Sequence, residues 1–363
     1  MVVDPANLYY LCGYDAWSFY MPQALLVPAD GPPHLVARAM DAYGAHHTAT
    51  LPRGHVHGYP EDLVHRPDVH PWDWIAARGR EVGVLPERGR VAAELDAHYF
   101  SPRGYLALAT ALPVVRIVDS AELVNWVRLV KTPAEQRLMR EAGRITTRAM
   151  RLAIDGLAAG VRQCDLVAEI QRAQATGVDG AGGDYPALVP LLPTGKTAGT
   201  PHLTWSDVPL RAGEATTVEL AGVRHRYHAP LARTVSLGTP PPRLAACAEA
   251  VAEGRDAALT AFHPGATGAD VHAGFAAAIA RHGLSKESRV GYSIGIGYPP
   301  DWGERTVSLR AAETTELLPG MCFHLILGMW MDGWGYETSE SVLVTETGPE
   351  LLTDIDPGLV VKR

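Results

Sequence analysis

Four stretches of the chain hold polar and aromatic side chains at a density that a plain core does not need: GGDYPALVPLLPTGKTAGTPHLTWSD, VELAGVRHRYHAPLARTVSLG, RVGYSIGIGYPPDWGERTVSLR and MCFHLILGMWMDGWGYETSESVLVTETG. Glycine-rich turns beside Trp, Tyr, His and Asp suit a shaped small-molecule pocket, because glycine lets backbone approach a ligand while aromatic rings cover its faces. Among the acids in these stretches, Asp184, Glu219, Asp301 and Glu340 can hold a cationic group and raise the pKa of a neighbouring imidazole. The alternative for each is a cap, a turn, or an ion pair with Arg226, Arg233 or Arg305. Trp205, Tyr292, Trp302 and Trp330 can wall a flat cation, or simply fill core. His225 and His228 resemble a metal cluster, but read as strand positions three apart they point to opposite faces and share no ion. The chain has 15 histidines, and spacing alone singles out none of them.

The elements that must position these residues belong to an ordinary soluble chain. Its 363 residues, 47% hydrophobic and 20% charged, suit about two domains at roughly 150 residues each. Lys and Arg number 32 against 40 Asp and Glu, a net charge of −8 with no basic stripe to collect phosphates, so nucleic acid is not an expected partner. Cys12, Cys164, Cys247 and Cys322 are scattered without a CxxC pair, which points to a reducing cytoplasm rather than a disulfide scaffold. No apolar run is long enough to span a membrane, and the first residues lack the pattern of a secretory signal. Val2 and Val3 read as the end of a strand, as though the natural start lay further upstream.

The first third alternates apolar runs (NLYYLCGY, ALLVPADGPPHLVAR, EVGVLPERGRVAAEL) with turn residues and helical stretches such as WDWIAARG, the pattern of a small α/β domain. Thr132, Pro133 and Glu135 then supply an N-cap, a first-turn proline and a capping-box acid, so a long helix begins there. Leu138, Ala142, Ile145, Ala149 and Leu152 give it one apolar stripe, and Gly156 is a stop. Beyond it, GLAAGVRQCDLVAEIQRAQATG resembles AFHPGATGADVHAGFAAAIARHG; Gly160 answers Gly265 and Asp165 answers Asp270, a constant offset of 105 residues (265 − 160 and 270 − 165). Two copies of a helix–turn–helix unit, each followed by strand-like sequence, predict a pseudo-twofold domain with a site between its halves.

The order of a long capped helix, a lone histidine before a strand, RTVSLG, a GxxxG turn and PGM opening a late strand resembles the creatinase and aminopeptidase P superfamily, the pita-bread fold. The resemblance extends over almost the whole chain, NLYYLCGY being similar to the start of the family's N-terminal domain. It implies an α/β (α+β) protein: a small creatinase-like α/β domain over residues 1–128 and a pseudo-twofold pita-bread catalytic domain over 129–363. Within the superfamily, GYDAWSFY, GGDYPALVPLLPTG, PHLTW, RYHAPLARTV, GYSIGIGYPPDWGER and GMWMDGWG look most like the ectoine-opening branch. That likeness implies a small zwitterionic cyclic amidine as substrate, a homodimer, and no contact with nucleic acid or membrane.

Peptidases of this fold bind two metal ions through Asp, Asp, His, Glu and Glu. Aligned on Arg233-Thr234, those slots hold Glu219, Pro230, Tyr292, Ile326 and Ser339 beside Glu340. Proline and isoleucine side chains offer a cation nothing, so neither metal nor other cofactor is expected. Creatinase keeps a carboxylate immediately before the Arg-Thr pair and another in the last slot, where this chain has Ala232 and Ser339. The resemblance implies that His202, in PHLTW, is the proton shuttle of a metal-free C–N hydrolase, with Glu219 and Glu340 holding an amidinium and Tyr292 or glycine-turn amides facing the tetrahedral carbon. Asp184, Tyr185, Trp205, Asp301 and Trp302 complete the expected substrate contacts. Tyr20 and Gln23 occupy the stretch that in creatinase reaches into the neighbouring subunit's pocket. Rival readings are a related hydrolase of another cyclic amidine or amide, a binding protein that senses a solute without cutting it, and a metallopeptidase.

Overall fold

The computed structural model describes residues 1–363, which divide into two compact units, Met1–Trp126 and Val127–Arg363. In the first unit, helix α1 (Pro5–Cys12) is followed by strands β1 (Ala24–Leu26) and β2 (His34–Arg38), helix α2 (Ala39–Thr48) and strand β3 (Val56–Tyr59). Strand β2 pairs antiparallel with β1 and parallel with β3. Helix α3 (Pro71–Glu81), strand β4 (Gly89–Ala93), helix α4 (Pro102–Ala111) and strand β5 (Val115–Asp119) follow, β4 and β5 forming a parallel pair, and α5 (Leu123–Val127) leads out. The apolar run NLYYLCGY is helical, not a strand: Asp4 accepts a hydrogen bond from the Ala6 amide, Pro5 opens the first turn, and Gly13 closes the helix with φ 76°. Those local signals outweigh the aromatic β propensity of Tyr9 and Tyr10. Val2 makes a single antiparallel bridge to Leu25.

The second unit opens with helix α6 (Pro133–Gly156), whose capping box joins Thr132 and Glu135 as its sequence requires. Its buried stripe is one position off the expected one. Ala142, Ile145 and Ala149 are buried as read, but Met139, Met150 and Ala153 complete the face, while Leu138 and Leu152 lie at its half-exposed edges. Helix α7 (Gln163–Thr176) packs on α6 and, after the β6 (Ala215–Arg224) and β7 (Tyr227–Leu237) hairpin, α8 (Pro242–Thr260) packs on α9 (Gly268–Ala280). The repeat is visible at its turns, where Gly160 and Gly265 adopt φ 87° and 86°, a left-handed conformation that glycine takes without steric cost.

Strands β8 (Gly291–Tyr298), β9 (Asp301–Ser308), β10 (Cys322–Ile326), β11 (Met329–Met331), β12 (Trp334–Tyr336), β13 (Ser339–Thr345), β14 (Gly348–Leu351) and β15 (Val360–Lys362) complete the chain. An eight-stranded sheet runs β14-β13-β10-β8-β7-β15, with β6 added on β7 and β9 on β8; β11 and β12 form a separate hairpin. Every residue of β7 is buried, as expected of a central strand covered on both faces. Helix α6 approaches β6 closely enough that a Cβ on Gly222 would stand 2.5 Å from the Ala142 carbonyl oxygen. Instead the Gly222 amide donates to Thr146 Oγ at 2.7 Å, which locks helix to strand.

Two sequence expectations change here. GYSIG is not a turn but the start of β8, so Tyr292 is fixed on a strand. His225 does not lie on a strand either: His225 and Arg226, with φ 46° and 65°, form the two-residue turn between β6 and β7. Asp184 accepts a hydrogen bond from the Arg226 amide at 3.0 Å, and the buried Arg226 guanidinium lies between the rings of Tyr185 and Tyr298, 3.8 and 4.3 Å from their centroids. These contacts hold a turn that non-glycine residues otherwise resist.

Candidate active site

Glu219 points from the middle of β6, and the loop ahead of β6 is drawn alongside it by bridges Leu191–Glu219 and Thr194–Thr216. That pairing brings Leu188 and His202 over the sheet. Strand β8 contributes Tyr292 from the same region, the first residue of β9 is Asp301, and the segment between β12 and β13 contributes Glu337. Together these residues line a cavity of about 490 Å³ that also includes Arg289, Ile326 and Trp330. Its size suits a small organic molecule.

Acids outnumber guanidinium and ammonium groups in its lining, Glu219, Asp301 and Glu337 against Arg289. Burial lifts the Glu219 carboxyl well above the ordinary range, and the negative charges of Glu337 and Asp301 raise it further. Burial pushes Glu337 up to about 7, against the pull of the Lys286 ammonium. One oxygen of Glu337, Oε1, is buried without a hydrogen-bond partner. Lys286 donates to the Gly328 carbonyl at 2.6 Å and stacks 4.3 Å from the Trp330 ring, so its charge is already engaged. Carboxylates collected in excess of cations are a demand for a cationic ligand.

The floor of the cavity is a hydrogen-bonded chain. Trp302 Nε1 donates to the Tyr292 hydroxyl at 2.9 Å, Tyr292 meets His324 Nδ1 at 3.0 Å, and His324 Nε2 meets Ser339 Oγ at 2.8 Å. Burial drives His324 down to about 3, helped by the Arg289 charge, and drives His228 down to about 3 as well, helped by Arg226. Both imidazoles are therefore neutral near pH 7. His202 differs: it is exposed, it lines the cavity, and its backbone is left-handed at φ 67°. For a bulky residue that conformation costs on the order of 1–3 kcal/mol and persists where surrounding structure enforces it.

Of the residues singled out in the sequence, the structure brings His202, Glu219, Tyr292, Asp301 and Trp330 to one cavity. Trp302 is fully buried behind Tyr292. Glu340 requires correction. It does not line the cavity; its carboxylate is inaccessible and paired with Arg233 at 3.2 Å and Arg255 at 2.9 Å. Asp184 and Tyr185 brace the β6–β7 turn, and Trp205 packs against the core beneath a separate cleft shared with Gln163, Thr197 and Arg211. In the first unit Tyr20 is exposed, whereas Gln23 is buried and accepts from the Ser18 hydroxyl at 3.0 Å. Sequence reasoning passed over Glu337 and Arg289. The string YETSES displays Glu337 three residues from Glu340, but only the sheet register tells the two apart.

An α/β unit followed by a curled sheet under paired helices, with a polar cavity against the sheet, defines a hydrolase of the pita-bread class. The sequence pattern of metallopeptidase family M24 matches residues 137–346 and that of the creatinase/prolidase N-terminal domain residues 1–130. The chain belongs to family M24. It is 43% identical to the ectoine hydrolase of Halomonas elongata, the match covering 100% of this chain and 92% of that protein. It is 42% identical to the uncharacterized hydrolase/peptidase y4tM of Sinorhizobium fredii over the same shares. Among solved structures, dipeptidase PepE from Mycobacterium ulcerans superposes with a TM-score of 0.79 at 25% identity, covering 99% of this chain and 92% of that one.

The metal centre that the family name implies does not fit these residues. Nowhere in the chain do three or more His, Cys, Asp or Glu side chains converge to hold a metal ion. At the positions where the sequence resemblance places metal ligands, the Tyr292 oxygen is engaged by Trp302 and His324, and Ser339 Oγ by His324 and the Ala232 amide at 2.6 Å. Pro230 and Ile326 offer no donor atoms.

Proposed function

We propose that this protein is a metal-independent hydrolase that opens the ring of ectoine, or of a closely similar zwitterionic cyclic amidine, giving N-acetyl-2,4-diaminobutyrate in the ectoine case. The observation that carries the reading is the cavity itself, where three acids, Glu219, Glu337 and Asp301, gather against a single guanidinium, Arg289. An amidinium supplies the missing charge and presents N–H donors to carboxylate oxygens. Trp330 flanks it with an aromatic ring, and Arg289, exposed at the cavity and 4.3 Å from the Tyr292 ring, is placed for the substrate carboxylate.

Water adds to the amidine carbon as His202 takes one of its protons, so a C–O bond forms and the carbon becomes tetrahedral. His202 returns that proton to one ring nitrogen, the C–N bond breaks with its electron pair on nitrogen, and the adduct's hydroxyl proton follows, leaving an amide and an ammonium group. His202 suits this role because it is the one imidazole of the cavity that reaches solvent; His324 lies beneath and holds its lone proton in an internal hydrogen bond.

The reading includes a cytoplasmic homodimer. Trp17, Tyr20, Met40 and Tyr43, 58%, 55%, 61% and 72% exposed, give the first unit apolar surface suited to a second copy. The decisive experiment follows chelator-treated enzyme and ectoine by proton NMR. Ring opening at an undiminished rate supports the reading. Unchanged ectoine with a raised melting temperature marks a binding protein, and activity that returns only with added divalent metal overturns metal independence.

A further inference from the structure

The chain of hydrogen bonds beneath the cavity has only one arrangement in which the buried protons of Ser339 and His324 both find an acceptor. Ser339 is fully buried, and its oxygen already accepts from the Ala232 amide at 2.6 Å. Its own hydroxyl proton has one acceptor in reach, His324 Nε2 at 2.8 Å. A buried hydroxyl proton without an acceptor keeps the full penalty of its lost hydration, so Ser339 donates and Nε2 accepts. Neutral imidazole carries a single proton, which then sits on Nδ1 and is donated to the Tyr292 oxygen at 3.0 Å. Trp302 Nε1 has no lone pair to offer and also donates to that oxygen, at 2.9 Å. With both acceptor positions of the phenol filled, its own proton cannot turn back toward the protein.

We propose that Tyr292 is an obligate hydrogen-bond donor into the cavity, its direction set by Ser339 and His324 acting as positioning residues beneath it. This rests on the cyclic-amidine reading and adds to it a means of favouring the transition state. Both nitrogens of an amidinium are donors, and their lone pairs are tied up in the planar cation. Once water has added and the carbon is tetrahedral, those lone pairs are released and a nitrogen becomes an acceptor. A phenol held as a donor therefore gains its partner only after attack has begun, which raises kcat rather than tightening substrate binding. Burial and the Glu219 charge raise the Tyr292 pKa well above its ordinary value, so the proton stays in place at working pH. The cavity carboxylates, which only accept when ionised, complement the substrate before attack.

Two measurements test the proposal. In 15N-histidine-labelled wild-type enzyme, the His324 signal, assigned by its loss in His324→Gln, should show a protonated Nδ1 and a bare Nε2; the opposite tautomer overturns the relay whatever the substrate is. In turnover of ectoine, Tyr292→Phe and Ser339→Ala should each lower kcat by about tenfold or more with KM little changed, and Ser339→Thr, which keeps the hydroxyl, should restore it. Wild-type kcat in Ser339→Ala, or equal damage in Ser339→Thr, sinks the positioning role. If wild-type enzyme leaves ectoine intact, the substrate assignment fails by itself, and the tautomer still decides the relay.

Discussion

Glu340 and Glu219 belong to the same unit and are 1% and 5% exposed, yet their surroundings are opposite. Glu340 stands between two guanidiniums, Arg233 and Arg255, and Arg233 in turn donates to the carbonyls of Ala232, Ser339, Ile355 and Asp356. Glu219 has no cation beside it, and the charged groups nearest in effect are two further acids. One carboxylate is a strut whose charge the fold has neutralised. The other is stored in an unfavourable state that a ligand can relieve. Burial alone does not separate structural from functional acids; what separates them is whether the protein has supplied the countercharge.

The comparison is broken most directly by exchanging each acid for its neutral isostere. Glu219→Gln should lower kcat/KM for the amidine by about a thousandfold, chiefly by raising KM, a typical cost for removing one partner of a buried charge pair, while the melting temperature holds or rises. Glu340→Gln should do the reverse. It leaves Arg233, itself inaccessible, with uncompensated charge, so unfolding free energy measured in urea should fall by about 3–5 kcal/mol while kcat of the folded fraction stays near wild type. A Glu340 variant that is stable and inactive would erase the distinction. His202→Ala should then cost about a hundredfold in kcat, within the usual range for a general base, with stability little changed because the residue is exposed.

How much of this was legible beforehand follows the range of the interactions. The start of α6 was readable because Thr132, Pro133 and Glu135 satisfy one another within a single turn. The helix at Pro5–Cys12 carried equally local signals in Asp4 and Gly13, but its aromatic run imitated a strand. The hairpin turn at His225 and Arg226 was hidden because what stabilises it, Asp184 and the rings of Tyr185 and Tyr298, lies some forty to seventy residues away. The choice between Glu337 and Glu340 was hidden for the same reason. Residue type marks both as candidates, and only Arg233 and Arg255, brought in by β7 and α8, assign Glu340 to the scaffold and leave Glu337 to the cavity.

The smallest expected effect is the most diagnostic, because it reads the cavity's charge without removing an atom from it. Glu337 has a folded pKa of about 7, raised from an ordinary glutamate value by burial. Between those values the folded state holds a proton that the unfolded state has released, so this group's contribution to stability is greatest in acid and is lost as pH rises through about 7. Free enzyme should accordingly melt at a slightly lower temperature at pH 8 than at pH 6, and Glu337→Gln should reduce that slope to the share that Glu219 contributes. Substrate binding must show the opposite dependence. An amidinium favours the ionised carboxylate, so KM should rise as pH falls below about 7 in wild type, and should become nearly independent of pH, though higher throughout, in Glu337→Gln. The Glu340→Gln variant should keep the wild-type pH profile of KM. Opposed slopes for stability and binding, both reduced by one substitution, would identify Glu337 as an acid held for the ligand rather than for the fold.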